Sequence, residues 1–392
     1  MEKILPDSSL PRFVFIDALR GIAAFAVLFH HLMHNSIMGV PLQRIVPAFI
    51  TEINRYSALG VQIFFVLSGF VIAHSLRDNP LTGRSIGNFI LRRQLRLDPT
   101  YWLIIVLALC LHRVELAMPG LVTDPMPSFQ EILLNFFYLQ NIFGVDQIVM
   151  VAWTLCIEVQ FYIAFIMSLA AGKFIERTFN NIPAGLASTA LVFLTGVISL
   201  VLVQWKSYPA WFIHYWFYFA AGVLCYWAIN QPNMRTVFLC FTTVFGINML
   251  IAFLRRSSSG ETLAPAMLVG VLTAMTIYWV GRKGQLTEMW NHRTVQYFGR
   301  ISYSLYLVHH IVIIIVLRGA YKLTGENEVM SIIWALVAGA LSVGAAHLLF
   351  NMVERPSMRF ASQLSPRNSS LTNTNRTQPI ETDSGFATEK SG

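Results

Sequence analysis

The stretch Phe15–His34, FIDALRGIAAFAVLFHHLMH, is apolar over a length near the ~20 residues a membrane-spanning helix needs. It nevertheless carries Asp17 and Arg20 near one end and His30, His31 and His34 near the other. Ionisable side chains inside a span are costly, so their first reading is functional. Arg20 and His31 are eleven residues apart. At about 100° per residue they share one helix face, roughly 16 Å apart along the axis. One helix thus aligns a permanent cation with a proton-transfer group.

Composition agrees with a membrane setting. The chain has 392 residues, 55% hydrophobic and 12% charged, against about 25% charged in a soluble domain. The net charge of +8 is spread over short loops, as membrane topology requires, so nucleic acid is not an expected partner. Cys110, Cys156, Cys225 and Cys240 all fall in apolar runs. They are expected to be buried thiols, with neither a disulfide framework nor metal-ligand spacing. The N-terminus reads as an uncleaved anchor preceded by a short polar lead.

Runs of spanning length fall at about 13–34, 58–76, 98–114, 150–171, 186–204, 212–229, 235–254, 262–281, 301–318 and 330–352. An all-α polytopic membrane protein of about ten transmembrane helices is the expected fold. The stretch 131–143 is too short to span and reads as interfacial or re-entrant. An even number of spans puts both termini on one side. Connections on that side carry the larger share of Arg and Lys, among them Arg77, Arg84, Arg92, Arg93 and Arg96. The positive-inside rule then makes both termini cytoplasmic. The expected organisation is a cytoplasmic lead over 1–12, a transmembrane domain over 13–356, and a Ser/Thr/Asn-rich disordered cytoplasmic tail over 364–392.

Four constellations carry candidate chemistry. In the first span, Asp17 and Arg20 also fit an i, i+3 ion pair, and the histidines also fit an interfacial cluster; helix geometry alone does not choose among the three. In the connection 84–102, Arg93 and Arg96 suit phosphate groups at the inner surface, or anionic lipid. In WTLCIEVQFY, residues 153–162, Trp153 suits the interface. Glu158 and Tyr162 are i, i+4 neighbours. A buried glutamate needs a partner, and a histidine of the first span is the expected one, a structural ion pair being the plainer alternative. In GRISYSLYLVHH, residues 299–310, Ser302, Tyr306 and His309 share a stripe beside Tyr303, which also fits ordinary helix–helix hydrogen bonding. Glu354-Arg355-Pro356 reads as a cap closing the last span. Nucleophile-elbow, Walker, dinucleotide and zinc-protease motifs are absent from the sequence.

Together these segments resemble the acyltransferase family 3 membrane proteins. The resemblance rests on IDALRGIAAFAVLFHHL, LGVQIFFVLSGFVIAHSL, FILRRQLRLDPTYWL, WTLCIEVQFY, GRISYSLYLVHH and VERP, which occur in the family's order through residue 356. It implies a ten-helix, stand-alone O-acyltransferase. The implied donor is cytoplasmic acyl-CoA, acetyl-CoA above all, and the implied acceptor an extracytoplasmic carbohydrate or glycolipid. The implied location is the cytoplasmic (inner) membrane of a bacterium, in contact with the lipid bilayer. The family's Arg-x10-His pattern lands on Arg20 and His31, selecting His31 as general base with Glu158 orienting it. Arg20, Arg93, Arg96 and Tyr303 are implied for the donor. Asp17, Trp153, Tyr162, Tyr306 and His309 are implied in binding or support. No metal or permanently bound cofactor is implied. Thr154 replaces the family's usual serine, and Gln62 a frequent aspartate. A transporter or flippase for a polar envelope precursor is the competing expectation from intramembrane charge alone; a non-catalytic scaffold would not need Arg20 and His31 aligned.

Overall fold

Apolar runs without access to water must satisfy their backbone groups internally, and helices do this within each segment. The computed structural model describes residues 13–35, 37–117, 125–179, 181–205, 210–255 and 263–363; the expected lead 1–12 and tail 364–392 lie outside the described residues. Within them the order is α1 (Val14–Met33), α2 (Gly39–Ile45), α3 (Ala48–Ser57), α4 (Gly60–Leu76), α5 (Gly83–Leu116), α6 (Phe129–Phe136), α7 (Gln140–Phe143) and α8 (Trp153–Thr178). Then follow α9 (Leu186–Trp205), α10 (Trp216–Asn230), α11 (Met234–Arg255), α12 (Leu263–Arg282), α13 (Arg293–Thr324), α14 (Glu328–Leu349) and α15 (Arg355–Gln363). No strand occurs among the described residues.

All ten expected runs are helical, and among the described residues nine helical stretches are long and apolar enough to cross a membrane. The sixth run differs. Its α-helix, α10, has 15 residues and follows a 3-10 turn at Phe212–His214. It is buried from Trp216 to Tyr226 without a break. A helix apolar all round belongs inside a bundle, so α10 is a central strut packed between α4, α9, α11 and α12.

The third run is longer than its hydropathy indicated. Residues 84–102 are no connection but the first half of α5, a 34-residue helix that passes through Pro99. Thr82 opens it with a capping box to Ser85, and a mid-helix proline removes only one backbone bond. The run 131–143 does not span: it forms the short helices α6 and α7. Tyr138 donates to Asp98 Oδ1 at 2.8 Å and Tyr101 to the Asn135 carbonyl at 2.9 Å, which hold this segment against α5. Burial pushes the Tyr138 phenol well above its usual range, with Tyr303 and Asp98 adding to the shift, so it stays a donor. The cysteine expectation holds for Cys156 and Cys225 only; Cys110 and Cys240 lie on exposed helix faces, where an apolar thiol suits lipid.

α1 and α13 run parallel in close contact. A Cβ on Gly21 would stand 2.8 Å from the Gly299 nitrogen, and one on Gly299 only 2.3 Å from the Asp17 carbonyl oxygen. Ten residues further along each helix, His31 meets His309. α14 returns beside α13, so the start of α1 and Glu354 lie at one end of the bundle, with Arg96 and Arg20 within charge range of Glu354. Gly299→Val is therefore expected to destabilise the fold by about 1–3 kcal/mol through overpacking against backbone. A lowered melting temperature of the purified protein checks this; an unchanged one would mean the helices can separate freely.

Candidate active site

Five helices enclose a cavity of about 80 Å³, room for roughly six waters. α1 contributes Arg20, α4 Ser68 and Phe64, α5 Arg93 and Arg96, α8 Thr154 and Glu158, and α13 Ser302, Tyr303 and Tyr306. A slot of this volume is too small for a nucleotide.

One end of the slot is built from charge. Glu158 Oε1 accepts from Ser68 Oγ at 2.6 Å, from Arg93 Nη2 at 2.7 Å, and from the Tyr162 hydroxyl. Arg93 also bonds the Tyr162 hydroxyl. Arg96 lies within charge range of Arg20, Arg93, Glu354 and Asp17. Arg20 and Arg96 line the slot beside the Arg93–Glu158 pair. Glu354 is no exposed cap. It is 3% exposed and accepts from Ser304 Oγ at 2.6 Å. It closes the π-helical turn Phe350–Glu354 between α14 and α15, and such turns often occur at functional sites. Tyr303 donates to the Leu97 carbonyl at 2.9 Å, tying α13 to the arginine-bearing stretch of α5.

The opposite end is closed by two hydroxyls. Tyr306 and Thr154 bond each other at 2.9 Å, and both reach the Val151 carbonyl, at 3.2 and 3.1 Å. The hydroxyl retained by Thr154 is thus in use. Trp153 packs its ring 5.5 Å from that of Tyr215, beside this closure.

Behind Tyr306 lies the histidine layer. The His309 ring is 6.0 Å from that of Tyr306 and 5.0 Å from that of His31. His31 Nδ1 is 2.9 Å from the Val27 carbonyl oxygen and 3.2 Å from His309 Nε2. The His310 ring sits 5.6 Å from His31 on another side. His30 stacks on His34 at 4.6 Å, and Asn54 Nδ2 is 2.8 Å from His34 Nδ1.

Two expectations about partners change here. Glu158 does not orient His31: its carboxylate is taken by Ser68, Arg93 and Tyr162, and His31 is held by Val27 and His309. The reason is depth and charge. Five residues into α8, about 7 Å along the axis, Glu158 lies level with Arg93 on α5, and a permanent cation outcompetes a neutral imidazole for a buried carboxylate. Arg93, in turn, is already committed to Glu158. Sequence reasoning also missed Ser68 and His310, and read Glu354 only as part of a cap. Ser68 and Glu354 had a signal in being polar within or at the edge of apolar runs, but nothing local pointed them at the arginines.

The acyltransferase domain family profile matches residues 13–350. Acyltransferase MdmB of Streptomyces mycarofaciens is 23% identical over 384 residues, covering 91% of this chain and 95% of that one. Peptidoglycan O-acetyltransferase OatA of Listeria monocytogenes is 23% identical over 365 residues, covering 87% of this chain, which spans only 55% of OatA. Exopolysaccharide production protein ExoZ of Rhizobium meliloti is 25% identical over 312 residues, covering 77% of this chain and 90% of that one. No solved structure matches the chain.

Proposed function

This chain belongs to the acyltransferase 3 family, and on that premise we propose that it moves an acyl group, acetyl first of all, from cytoplasmic acyl-CoA to a hydroxyl of an envelope carbohydrate across the membrane. The observation that carries this reading is the slot itself: it is lined by Arg20, Arg93 and Arg96 and stops one tyrosine layer short of the His31–His309 pair. Relatives named for peptidoglycan O-acetylation and exopolysaccharide production support a carbohydrate acceptor. The excess of Arg and Lys on the arginine side supports a cytoplasmic position for that end and for both termini, in the inner membrane of a bacterium.

In this reading the nucleotide of the donor stays outside the slot, with Arg20 and Arg96 on its phosphates. The thin pantetheine arm enters and brings the thioester towards Tyr306. Arg93, held by Glu158 and Tyr162, sets the wall and adds positive potential without a direct phosphate bond. His31 takes the proton of the acceptor hydroxyl. The freed oxygen attacks the thioester carbonyl carbon, the C–S bond breaks, and the proton passes to the leaving thiolate. Tyr306 and Thr154 stand between donor slot and base, so their contact opens during each turnover.

The test is alkali-labile acetate on envelope glycans of otherwise acetylation-deficient cells with and without this protein. Equal acetate in both would overturn the proposal. Donor recognition has its own expected result. Arg20→Ala and Arg96→Ala should each raise the KM for acetyl-CoA by about 10–100-fold, since a charge-assisted bond contributes about 1.5–3 kcal/mol. Titrating labelled acetyl-CoA against membrane vesicles measures this, and an unchanged KM in both would remove the arginines from the donor site.

A further inference from the structure

The histidine layer contains a contact that acid–base chemistry at His31 does not by itself require. His309 is buried, 1% exposed, and its Nδ1 lies 2.9 Å from the carbonyl oxygen of Leu305, one turn back on α13. His31 Nδ1 lies 2.9 Å from the Val27 carbonyl oxygen, one turn back on α1. A ring nitrogen this close to a carbonyl oxygen must carry a hydrogen, because two lone pairs at that distance repel. Both imidazoles, when neutral, are therefore protonated on Nδ1 and bear their lone pair on Nε2. The 3.2 Å contact between His31 Nδ1 and His309 Nε2 is then a donor facing an acceptor. The His31 N–H is shared between the Val27 carbonyl and the His309 ring.

From this geometry we propose that His309 is a positioning residue, which fixes His31 in the tautomer that leaves Nε2 free to accept a proton. The inference rests on the general-base role of His31 proposed above and deepens it. It assigns to a second histidine the task that a carboxylate performs in serine-hydrolase triads. No carboxylate bonds His31 among the described residues, and Glu158 is bound elsewhere. The other groups facing the pair are the rings of His30, His310 and Tyr306, with His34 within charge range of His31. None of them hydrogen-bonds His31 Nδ1 among the described residues.

The consequence for the step is specific. When the acceptor O–H bond breaks, its proton goes to His31 Nε2 and the imidazolium keeps its Nδ1 hydrogen. That hydrogen points at the His309 lone pair, which stabilises the charge without taking the proton. In its neutral form His309 accepts that hydrogen bond without adding a second charge to the layer. The shared Gly21/Gly299 contact explains how two helices hold this distance: both histidines stand ten residues beyond the glycines on parallel helices.

The experiment uses the full chain in membrane vesicles, labelled acetyl-CoA as donor and the vesicles' own glycans as acceptor, with alkali-labile label as readout. His309→Phe keeps a ring but removes the acceptor; it should lower kcat roughly 10²-fold, within the range of general-base effects, and leave the KM for acetyl-CoA within about twofold. His309→Gln restores an amide oxygen that accepts from His31 Nδ1–H, and should recover at least about tenfold over the Phe variant. Should the Phe variant fail to insert, His309→Met takes its place, flexible and without a strong acceptor. Wild-type kcat in His309→Phe or His309→Met, with His31→Ala inactive, overturns the positioning role alone. Equal loss in the Gln and Phe variants, both stably inserted, also overturns it. Activity in His31→Ala overturns the underlying reading instead.

Discussion

Alanine at position 31 is expected to cut acyl transfer by roughly 10²–10⁴-fold, the usual contribution of a positioned general base, while membrane insertion stays intact. The second half of that expectation follows from where the ring is held. Its backbone bond lies within α1, to Val27 one turn back, and its other partner is a single histidine. Alanine continues a helix better than histidine does, so α1 keeps its own hydrogen bonds and its glycine contact with α13. His30→Ala and His34→Ala provide the control. Those two rings stack on each other and their Nδ1 atoms meet Asn54, and His30 touches His31 only edge to ring at 5.3 Å, so their loss should change transfer only a few-fold. Alkali-labile acetate from cells carrying each variant at matched membrane levels makes the comparison. Full acetate in the His31→Ala cells would remove His31 from the reaction.

The largest effect on stability is expected at the Arg93–Glu158 pair. Its side chains are only 16% and 20% exposed, and Glu158 also satisfies Ser68 and Tyr162. Removing one partner of such a pair strands a buried charge, at a cost of about 3–5 kcal/mol. Glu158→Leu and Arg93→Met should each lower the melting temperature of the purified protein strongly. The double variant should lose clearly less than the sum, because no unpaired charge remains and the replacements are apolar. Strictly additive losses would show that the two groups act independently. Activity separates from stability here. The double variant keeps the fold but lacks the positive wall of the slot, so transfer stays low.

Much of the candidate site was legible residue by residue. Arg20 and His31 stood out because an apolar helix cannot carry such groups idly, and their eleven-residue spacing put them on one face. Arg96, Tyr303 and Tyr306 line one slot, and His309 lies behind Tyr306. Pairing was not legible. Glu158 needed a partner, and the sequence offered a histidine and an arginine on different helices with no measure of depth. The long α5 hid that measure, since Asp98 and Pro99 resemble the start of a span when they in fact sit mid-helix. Glu354 resembled a cap for the same reason, until the π-helical turn placed it under Ser304.

Hydropathy alone was enough for an all-α membrane bundle and for all ten helices, because a chain in lipid has few ways to satisfy its backbone. It could not tell which helix would be buried on all sides; that depends on neighbours, and α10 is wrapped by them from Trp216 to Tyr226. Spacing alone put a cation and a base on the first helix, because helical periodicity is a local property. Which histidine faces which, and which carboxylate holds which arginine, was settled by helices far apart in sequence. Gly21 and Gly299 let two of them touch at backbone distance, and that contact aligns His31 with His309. Side-chain partners across a bundle depend on relative depth and rotation, and no local pattern encodes those.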